Sequence, residues 1–300
     1  MVIGYKNSFT SLWQEAESTR ETPRFTTDIV VMPYDEFRDQ VMSDDPATAR
    51  RLVDSFYSGV GYILKGAFDR DWLRSLIDRT HDWGLENPSG FYKMIDGCPD
   101  YHRAIDAEQT RDYSMHHIKQ SHYFFPWNDD PLDLFDEVNR RWRVFKFLGG
   151  YPSDAYERNV PSDGIIDRLQ VVRYPTGGGA LESHTDPTQN QKIVIGALMS
   201  ERGADYSQGG FYFVSENGKS IDCEPMLSVG DMLTGSPTVV HGVAPVDPNL
   251  ELDWKSKEGR WFLGLYSNDS DEMPKRVTAK SLGDQFPSPV LPLADAKGIQ

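Results

Sequence analysis

The sequence predicts an α+β protein with a mainly β core, an antiparallel sandwich or barrel that carries helices on its outside. Between Asp167 and Ser267 the chain divides into short runs of strand character separated by turn residues. The first half contains amphipathic helical patterns but little strand. The length of 300 residues, with 38% hydrophobic residues, is near the upper end of what one core supports, so a single domain over residues 1–300 is expected.

Residues 1–30 are polar and mixed and predict an extended arm, while residues 31–150 predict a support of helices and loops. Asp44 and Asp45 precede Pro46, which is typical of a helix start. Apolar spacing predicts helices over 46–57, over 71 to about 83 and over about 132–148, with a short strand over 61–69.

The stretch from Gly84 to Asp130 shows no clear period and is dense in aromatic, His and Asp residues. Irregular segments of this length inside a domain are usually functional loops, so a substrate lid is expected here. Within this stretch His117, His122 and Tyr123 are candidate substrate-binding residues. The alternative is that they are packed or hydrogen-bonded residues of an ordinary loop.

The strand-like runs over 165–268 are predicted to form the β core, and residues 269–300, rich in Pro and Lys, a C-terminal surface strap. The runs are RLQVVRY, KIVIGALM, GGFYFV, PMLSVGDMLTG, TVVHGV and RWFLGLYS. Two domains meeting near 151–161 are an alternative, but the first half would then have too little sheet to cover its helices.

Charge and composition restrict the classes of partner that this protein is expected to bind. Lys and Arg number 31 against 46 Asp and Glu, a formal charge of −15, which disfavours nucleic acid and anionic membrane surfaces. No stretch of about 20 apolar residues and no signal-peptide pattern is present, so a cytoplasmic location is expected. Two cysteines are too few for a disulfide framework. A small-molecule substrate is the expected partner, and the oligomeric state stays open.

The strongest chemical signal is His184-Thr185-Asp186, followed 57 positions later by His241. In extended backbone, residues i and i+2 point to the same side, so His184 and Asp186 can converge on one point. Two imidazoles and one carboxylate on one face of an octahedral cation suit Fe(II) and leave three open positions. Zinc is the competing metal, although three-ligand zinc sites more often keep a single water.

The setting of these residues resembles the core of the Fe(II)/2-oxoglutarate-dependent dioxygenases, in particular the prolyl-hydroxylase-like and phytanoyl-CoA-hydroxylase-like branches. The resemblance covers most of residues 55–267. It includes a strand ending in Tyr-Pro, a Gly-rich turn before the H-x-D, a Gly-Gly before an aromatic strand, a Gly-Asp turn before the distal His, and a following basic residue. These are Tyr174, Pro175, Gly177 to Gly179, His184, Asp186, Gly209, Gly210, Gly230, Asp231, His241 and Arg260.

The resemblance implies a double-stranded β-helix, or jelly roll, with Fe(II) at its open end. It implies that 2-oxoglutarate fills two of the open metal positions and O2 the third, and that 2-oxoglutarate is converted to succinate and CO2. It also implies hydroxylation or a related oxidation rather than halogenation, because halogenating relatives have a small residue where this chain has Asp186.

The distal carboxylate of 2-oxoglutarate needs a buried partner, and a guanidinium meets that need with two parallel hydrogen bonds. Arg260 is the predicted anchor, although it lies 19 positions after His241, farther than is usual in the family. Arg173 and Lys192 are the alternatives, and Tyr174 or Gln170 is expected to add a polar contact.

The sequence therefore predicts an oxygenase that hydroxylates or otherwise oxidises an unactivated C–H bond of a small metabolite, with a biosynthetic role favoured. The identity of that metabolite is not specified. The alternative is a jelly-roll protein that binds a metal or ligand without turnover.

Overall fold

The computed structural model describes residues 5–112 and 115–291. The helices of this part of the chain are α1 (Ser8–Thr19), α2 (Tyr34–Met42), α3 (Pro46–Tyr57), α4 (Arg70–Glu86) and α5 (Phe135–Leu148). The strands are β1 (Asp28–Pro33), β2 (Val60–Lys65), β3 (Tyr101–Ile105), β4 (His117–Phe124), β5 (Ile165–Pro175), β6 (Gly179–Thr185), β7 (Val194–Leu198), β8 (Gly210–Val214), β9 (Ser220–Asp222), β10 (Met232–Gly235), β11 (His241–Val246), β12 (Gly259–Asp269) and β13 (Lys280–Ser281).

The strands form one curled path in the order β1-β2-β10-β7-β12-β5-β4-β6-β11-β8-β9, with β3 added to β4 and β13 to β6. β1 and β2 pair in parallel, and the other pairs are antiparallel. β4 joins the two halves of the path because its first residues pair with β6 and its later residues with β5. This curled, mainly β core confirms the predicted jelly-roll architecture with helices on the outside.

Side-chain alternation along β12 separates two environments. Trp261, Leu263 and Leu265 point into the main hydrophobic core, which the sheet shares with the helices. Arg260, Phe262 and Tyr266 point to the other side, into a cavity. Because successive strand side chains face opposite sides, the same strand closes the core and lines the candidate site.

The helices predicted from apolar spacing are confirmed, α3 with the predicted bounds and α4 and α5 with shifted ends. α3 begins at Pro46, and the Asp45 side chain accepts the Thr48 amide at 2.8 Å, as expected of a cap residue. α4 begins at Arg70 behind the capping residue Asp69 and runs beyond the predicted end. None of the helices in the described part of the chain combines the length and apolar character that a bilayer crossing requires.

The extended arm predicted for residues 1–30 is wrong for its central part, which forms α1. Asn7 caps this helix, and Phe9, Trp13 and Ala16 are buried at helical spacing. The Trp13 indole donates to the Leu148 carbonyl at 2.6 Å, at the end of α5. The polar residues between these three positions make the apolar face hard to recognise in the sequence. The helix is stabilised because this face is buried against the rest of the fold.

The irregular stretch predicted for 84–130 also needs correction. It contains the end of α4 and the hairpin of β3 and β4, and β4 is an interior strand between β5 and β6. Its sequence, HIKQSHYF, places polar or charged side chains on both faces of the strand, so it lacks the alternation of apolar and polar residues that marks a half-exposed strand. The short helix α2 was likewise not predicted.

Candidate metal centre

Two neighbouring strands bring the H-x-D motif and the distal histidine together. His184 on β6 lies directly opposite His241, the first residue of β11, and the two ring centroids are 4.3 Å apart. Asp186 follows the end of β6, where its backbone amide donates to the Pro237 carbonyl at 2.8 Å. One ligand atom from each of the three side chains lies within 4.8 Å of the other two. The sequence-predicted triad is therefore assembled in the fold.

The imidazoles are oriented by backbone carbonyls on their outer side. His184 Nδ1 lies 2.9 Å from the Glu182 carbonyl oxygen, and His241 Nδ1 lies 2.8 Å from that of Val239. A carbonyl only accepts, so each Nδ1 carries a proton, and in the neutral ring it is Nε2 that keeps its lone pair. Those Nε2 atoms lie 3.9 Å and 3.5 Å from the two carboxylate oxygens of Asp186. This donor set, two imidazole nitrogens and one carboxylate, fits a ferrous ion.

The electrostatics of the triad favour metal-binding protonation states. Burial and the neighbouring His241 lower the pKa of His184 to about 4, against the opposing effect of Asp186. Burial acts to raise the pKa of Asp186, but the two histidines and, to a smaller extent, Lys119 outweigh it and lower that pKa to about 2. At neutral pH the site thus presents a neutral imidazole at His184 and an ionised carboxylate at Asp186.

The triad lines a cavity of about 420 Å³, a volume typical of small-molecule sites. Its apolar wall includes Leu198, Phe211, Leu227, Val243 and Phe262. Its polar groups include Lys119, Arg168, Gln170, Tyr174, Gln191, Arg260, Tyr266, Asn268 and Arg276. The predicted polar contacts Gln170 and Tyr174 are therefore both placed in this cavity.

Arg260 lines the cavity and is itself buried. Its Nε donates to Glu224 Oε1 at 2.7 Å, and the carboxylate of Glu224 is also held by the Tyr206 hydroxyl and by the Phe211 amide. Burial acts to lower the pKa of Arg260, but Glu224 outweighs it and raises that pKa. Because Glu224 contacts Nε, the terminal nitrogens of this fixed cation are the ones that can reach a ligand carboxylate.

The alternative anchors lie elsewhere. Arg173 neighbours Tyr174 on β5 but points to the opposite side, where it donates to the Asp253 and Trp254 carbonyls. Lys192 forms an ion pair with Glu17 outside the cavity. Alternation along β5 explains why Arg173 does not reach the cavity, since odd-numbered positions of this strand face the helices and even-numbered positions face the cavity.

The candidate substrate residues His117, His122 and Tyr123 do not line the cavity as far as the described residues delimit it. His122 faces the helices and is fully buried among aromatic rings, and the Tyr123 ring packs at a tilt against Tyr101 with the ring centroids 4.7 Å apart. His117 is buried near the start of β4, with Nδ1 2.9 Å from the Met115 carbonyl. Substrate contact through these three residues therefore stays a prediction that the lining of the cavity does not support.

Sequence reasoning missed Lys119 on β4 and Arg168 on β5, which do line the cavity. Arg168, Gln170 and Tyr174 occupy alternate positions of one strand, and this period of two was a readable signal for Arg168. Lys119 carried no such signal because its strand was not predicted.

No protein-family model matches the chain, and no curated protein sequence matches it. Solved structures do resemble it. A Pseudomonas putida prolyl-4-hydroxylase is 14% identical, with 73% of this chain and 97% of that chain covered and a TM-score of 0.45. A Neurospora crassa protein in complex with alpha-KG and thymine is 14% identical, with 86% of this chain and 94% of that chain covered and a TM-score of 0.47.

A third similar structure is the Trichoplax adhaerens prolyl hydroxylase in complex with a hypoxia-inducible-factor peptide fragment. It is 12% identical, covers 80% of this chain and 94% of its own, and has a TM-score of 0.46. At such identities the chemistry of this chain has to be established from its own side chains.

Proposed function

We propose that this chain is an Fe(II)- and 2-oxoglutarate-dependent oxygenase that hydroxylates, or otherwise oxidises, a C–H bond of a small metabolite. The observation that carries the proposal is the convergence of His184, Asp186 and His241 in a cavity that also contains a buried arginine. A site that only bound a metal would not need a fixed cation in the same cavity.

His184, Asp186 and His241 would hold the metal on one face, leaving the cavity side open for ligands. When bound, the metal and 2-oxoglutarate supply the oxidising chemistry: O2 gives one oxygen atom to succinate as CO2 is lost, and the other to the substrate carbon. Arg260, held by Glu224, would bind the distal carboxylate of the cosubstrate. Tyr174, opposite Arg260 in the β5–β12 register, would add a hydroxyl contact, and the apolar wall would exclude water.

The test is succinate formation from 2-oxoglutarate by the purified protein with Fe(II), ascorbate and air. We expect the wild type to form succinate, His184→Ala to lose this activity, and Arg260→Ala to require much more 2-oxoglutarate. His116→Ala is the matched control, because this exposed histidine lies outside the triad, while its backbone carbonyl accepts the amide of Glu182, two residues before His184.

Metal content gives a second readout that does not depend on turnover. We expect His184→Ala to bind less Fe(II) than the wild type and His116→Ala to bind the same amount. If the wild type binds Fe(II) stoichiometrically but forms no more succinate than His184→Ala with any metabolite offered, the non-catalytic jelly-roll binding protein is the better description.

A further inference from the structure

Gly196 is the one glycine in the described part of the chain for which the fold itself gives no reason. Every other described glycine either has a positive φ or would place a Cβ within 3.3 Å of a neighbouring atom. Gly196 lies in the middle of β7 without a positive φ, and its Cβ would lie 3.5 Å from Phe262 Cδ2, an ordinary van der Waals contact. Glycine inside a strand is unfavourable relative to alanine and often marks a place where a ligand approaches the backbone.

The cross-strand partner of Gly196 provides the contrast. Gly264 lies directly opposite Gly196 in the β7–β12 pair. A Cβ at Gly264 would overlap the ring of Tyr266, so packing requires a glycine there. At Gly196 the corresponding space belongs to the cavity. The missing side chain of Gly196 therefore leaves a recess in the cavity wall.

The recess over Gly196 is bordered by apolar side chains. Val194 and Leu198 lie on the same face of β7, two positions to either side. Leu233 of β10 lies opposite Gly196, and on the other side Phe262 of β12 pairs with Leu198. All four side chains line the cavity. A charged group placed among them would lose its hydration without gaining a partner, whereas a hydrocarbon group would gain from burial.

The recess lies away from the predicted cosubstrate anchor. Gly264 marks its level on β12, and Arg260 lies four residues earlier, roughly 13 Å along an extended strand. The Arg260 guanidinium reaches over Phe262, with its central carbon 5.9 Å from the ring centroid, and so stays two positions short of Gly264. The carboxylate that Arg260 would hold therefore lies outside the recess, and the recess is left for another ligand group.

We propose that the primary substrate carries an uncharged hydrocarbon group, branched or aromatic, and that this group packs into the recess over Gly196. The assignment to the primary substrate rests on the proposed function, because that function gives Arg260 to 2-oxoglutarate. Gly196 then determines specificity by size, since any side chain at this position takes the space of the ligand's own carbon atoms. The cavity of about 420 Å³ has to hold the cosubstrate as well, so the group is compact.

The test uses fluorobenzene as a probe, because it is neutral and apolar and its fluorine signal reports binding by NMR. It is titrated into protein that carries Zn(II) in place of Fe(II) and saturating 2-oxoglutarate, so that the Arg260 subsite is filled and no turnover occurs. We expect the wild type to bind fluorobenzene.

Variants at Gly196 assign the binding to the recess. Gly196→Ala is expected to weaken fluorobenzene binding about 4-fold, and Gly196→Val about 10-fold or more, because each added carbon displaces one carbon of the ligand. Ala279→Val is the matched control, since it adds bulk to the same cavity from the segment after β12 and is expected to leave the affinity unchanged.

Thermal unfolding separates this role from a structural one. Gly196→Ala creates no close contact, so it is expected to raise the midpoint of thermal unfolding by about 1–2 °C while it weakens binding. A glycine that packing required would give a lower midpoint on the same substitution. Gly196→Ala also keeps the test decisive if the larger valine impairs folding.

Four results would overturn the inference: no binding of fluorobenzene, equal binding by the wild type and Gly196→Val, a lower unfolding midpoint in Gly196→Ala, or a KM for 2-oxoglutarate that Gly196→Val raises as Arg260→Ala does. Repeating the titration with metal-free protein separates the two proposals. Fluorobenzene binding that depends on Gly196, in a protein that forms no succinate from 2-oxoglutarate, would support the recess and contradict the oxygenase.

Discussion

Two pairs of buried histidines lie in this molecule, and their surroundings differ. The rings of His184 and His241 are 4.3 Å apart and open onto a cavity beside the carboxylate of Asp186. The rings of His102 and His122 are 5.2 Å apart and stacked, and His122 also stacks on Trp261 at 6.0 Å. Both pairs are on strands, both are buried, and a scan for histidine clusters would find both.

The ring nitrogens distinguish the pairs. The Nε2 atoms of His184 and His241 point toward a shared carboxylate. His102 Nε2 lies 2.6 Å from the Asn87 carbonyl oxygen, within hydrogen-bond distance. His122 Nε2 has no hydrogen-bond partner among the described residues. Burial therefore does not identify a metal site. Convergent lone pairs, a carboxylate and open volume beside them do.

Among substitutions in the two histidine pairs, the largest effect that we expect is on metal binding. His241→Ala removes one of three ligands, and we expect it to lower Fe(II) affinity by at least about 100-fold, since losing even an outer-shell partner costs roughly 10- to 100-fold. His122→Phe is expected to leave the affinity unchanged. Titration with Fe(II), or with Co(II) followed by its visible absorption, measures both. An equal loss in the two variants would contradict the distinction drawn here.

For the free energy of unfolding we expect the opposite order, with a larger loss in His122→Ala than in His241→Ala. His122→Ala empties a fully buried ring position between aromatic side chains and should lower the free energy of unfolding by about 3 kcal/mol. His241→Ala lines a cavity that is already open and should cost less. Urea unfolding of the metal-free variants measures the difference. A larger loss for His241→Ala would show that the triad is a structural element in its own right.

The pH dependence of the free energy of unfolding should be determined by the other pair, His102 and His122. Burial and the neighbouring His102 lower the pKa of His122 from 6.5 to about 3. Below pH 6.5 the unfolded chain gains a proton at this position that the folded chain does not, so stability present above pH 6.5 is lost as the pH falls toward 3. Between about pH 7 and pH 5 the wild type should lose about 2 kcal/mol more than His122→Phe. Parallel pH profiles of the two proteins would contradict this.

The sequence was most informative where the determining contacts are local. Pro46 after Asp45 marks a helix start, and the H-x-D spacing places two side chains on one side of a strand, so α3 and two of the three triad members followed directly. His241 followed from its own strand-like run and the resemblance. The sequence favours Arg260 over Arg173 because Arg260 opens the run after His241. Of these two arginines, the structure places Arg260 at the cavity.

What could not be predicted depends on contacts that are distant along the chain. β4 is a strand because β5 and β6 pair with it, and only this pairing turns Lys119 toward the cavity and His122 away from it. In the same way α1 is held by contacts with α3 and α5, including the bond from Trp13 to the Leu148 carbonyl. A single sequence without these partners shows a polar arm and an irregular loop instead.

The smallest expected effect concerns Gly84 of α4, which packs directly against His122. A Cβ at Gly84 would lie 2.8 Å from His122 Nε2 and 3.6 Å from Gln120 Nε2. Ala is favoured over Gly in a helix by about 1 kcal/mol, but crowding a close-packed core costs about 1–3 kcal/mol. Gly84→Ala should therefore destabilise the wild type by about 1 kcal/mol, measured by urea unfolding. In the His122→Ala background the crowding is absent, so the same substitution should become stabilising. If the sign does not change between the two backgrounds, the close contact of α4 with His122 does not determine the stability of this region.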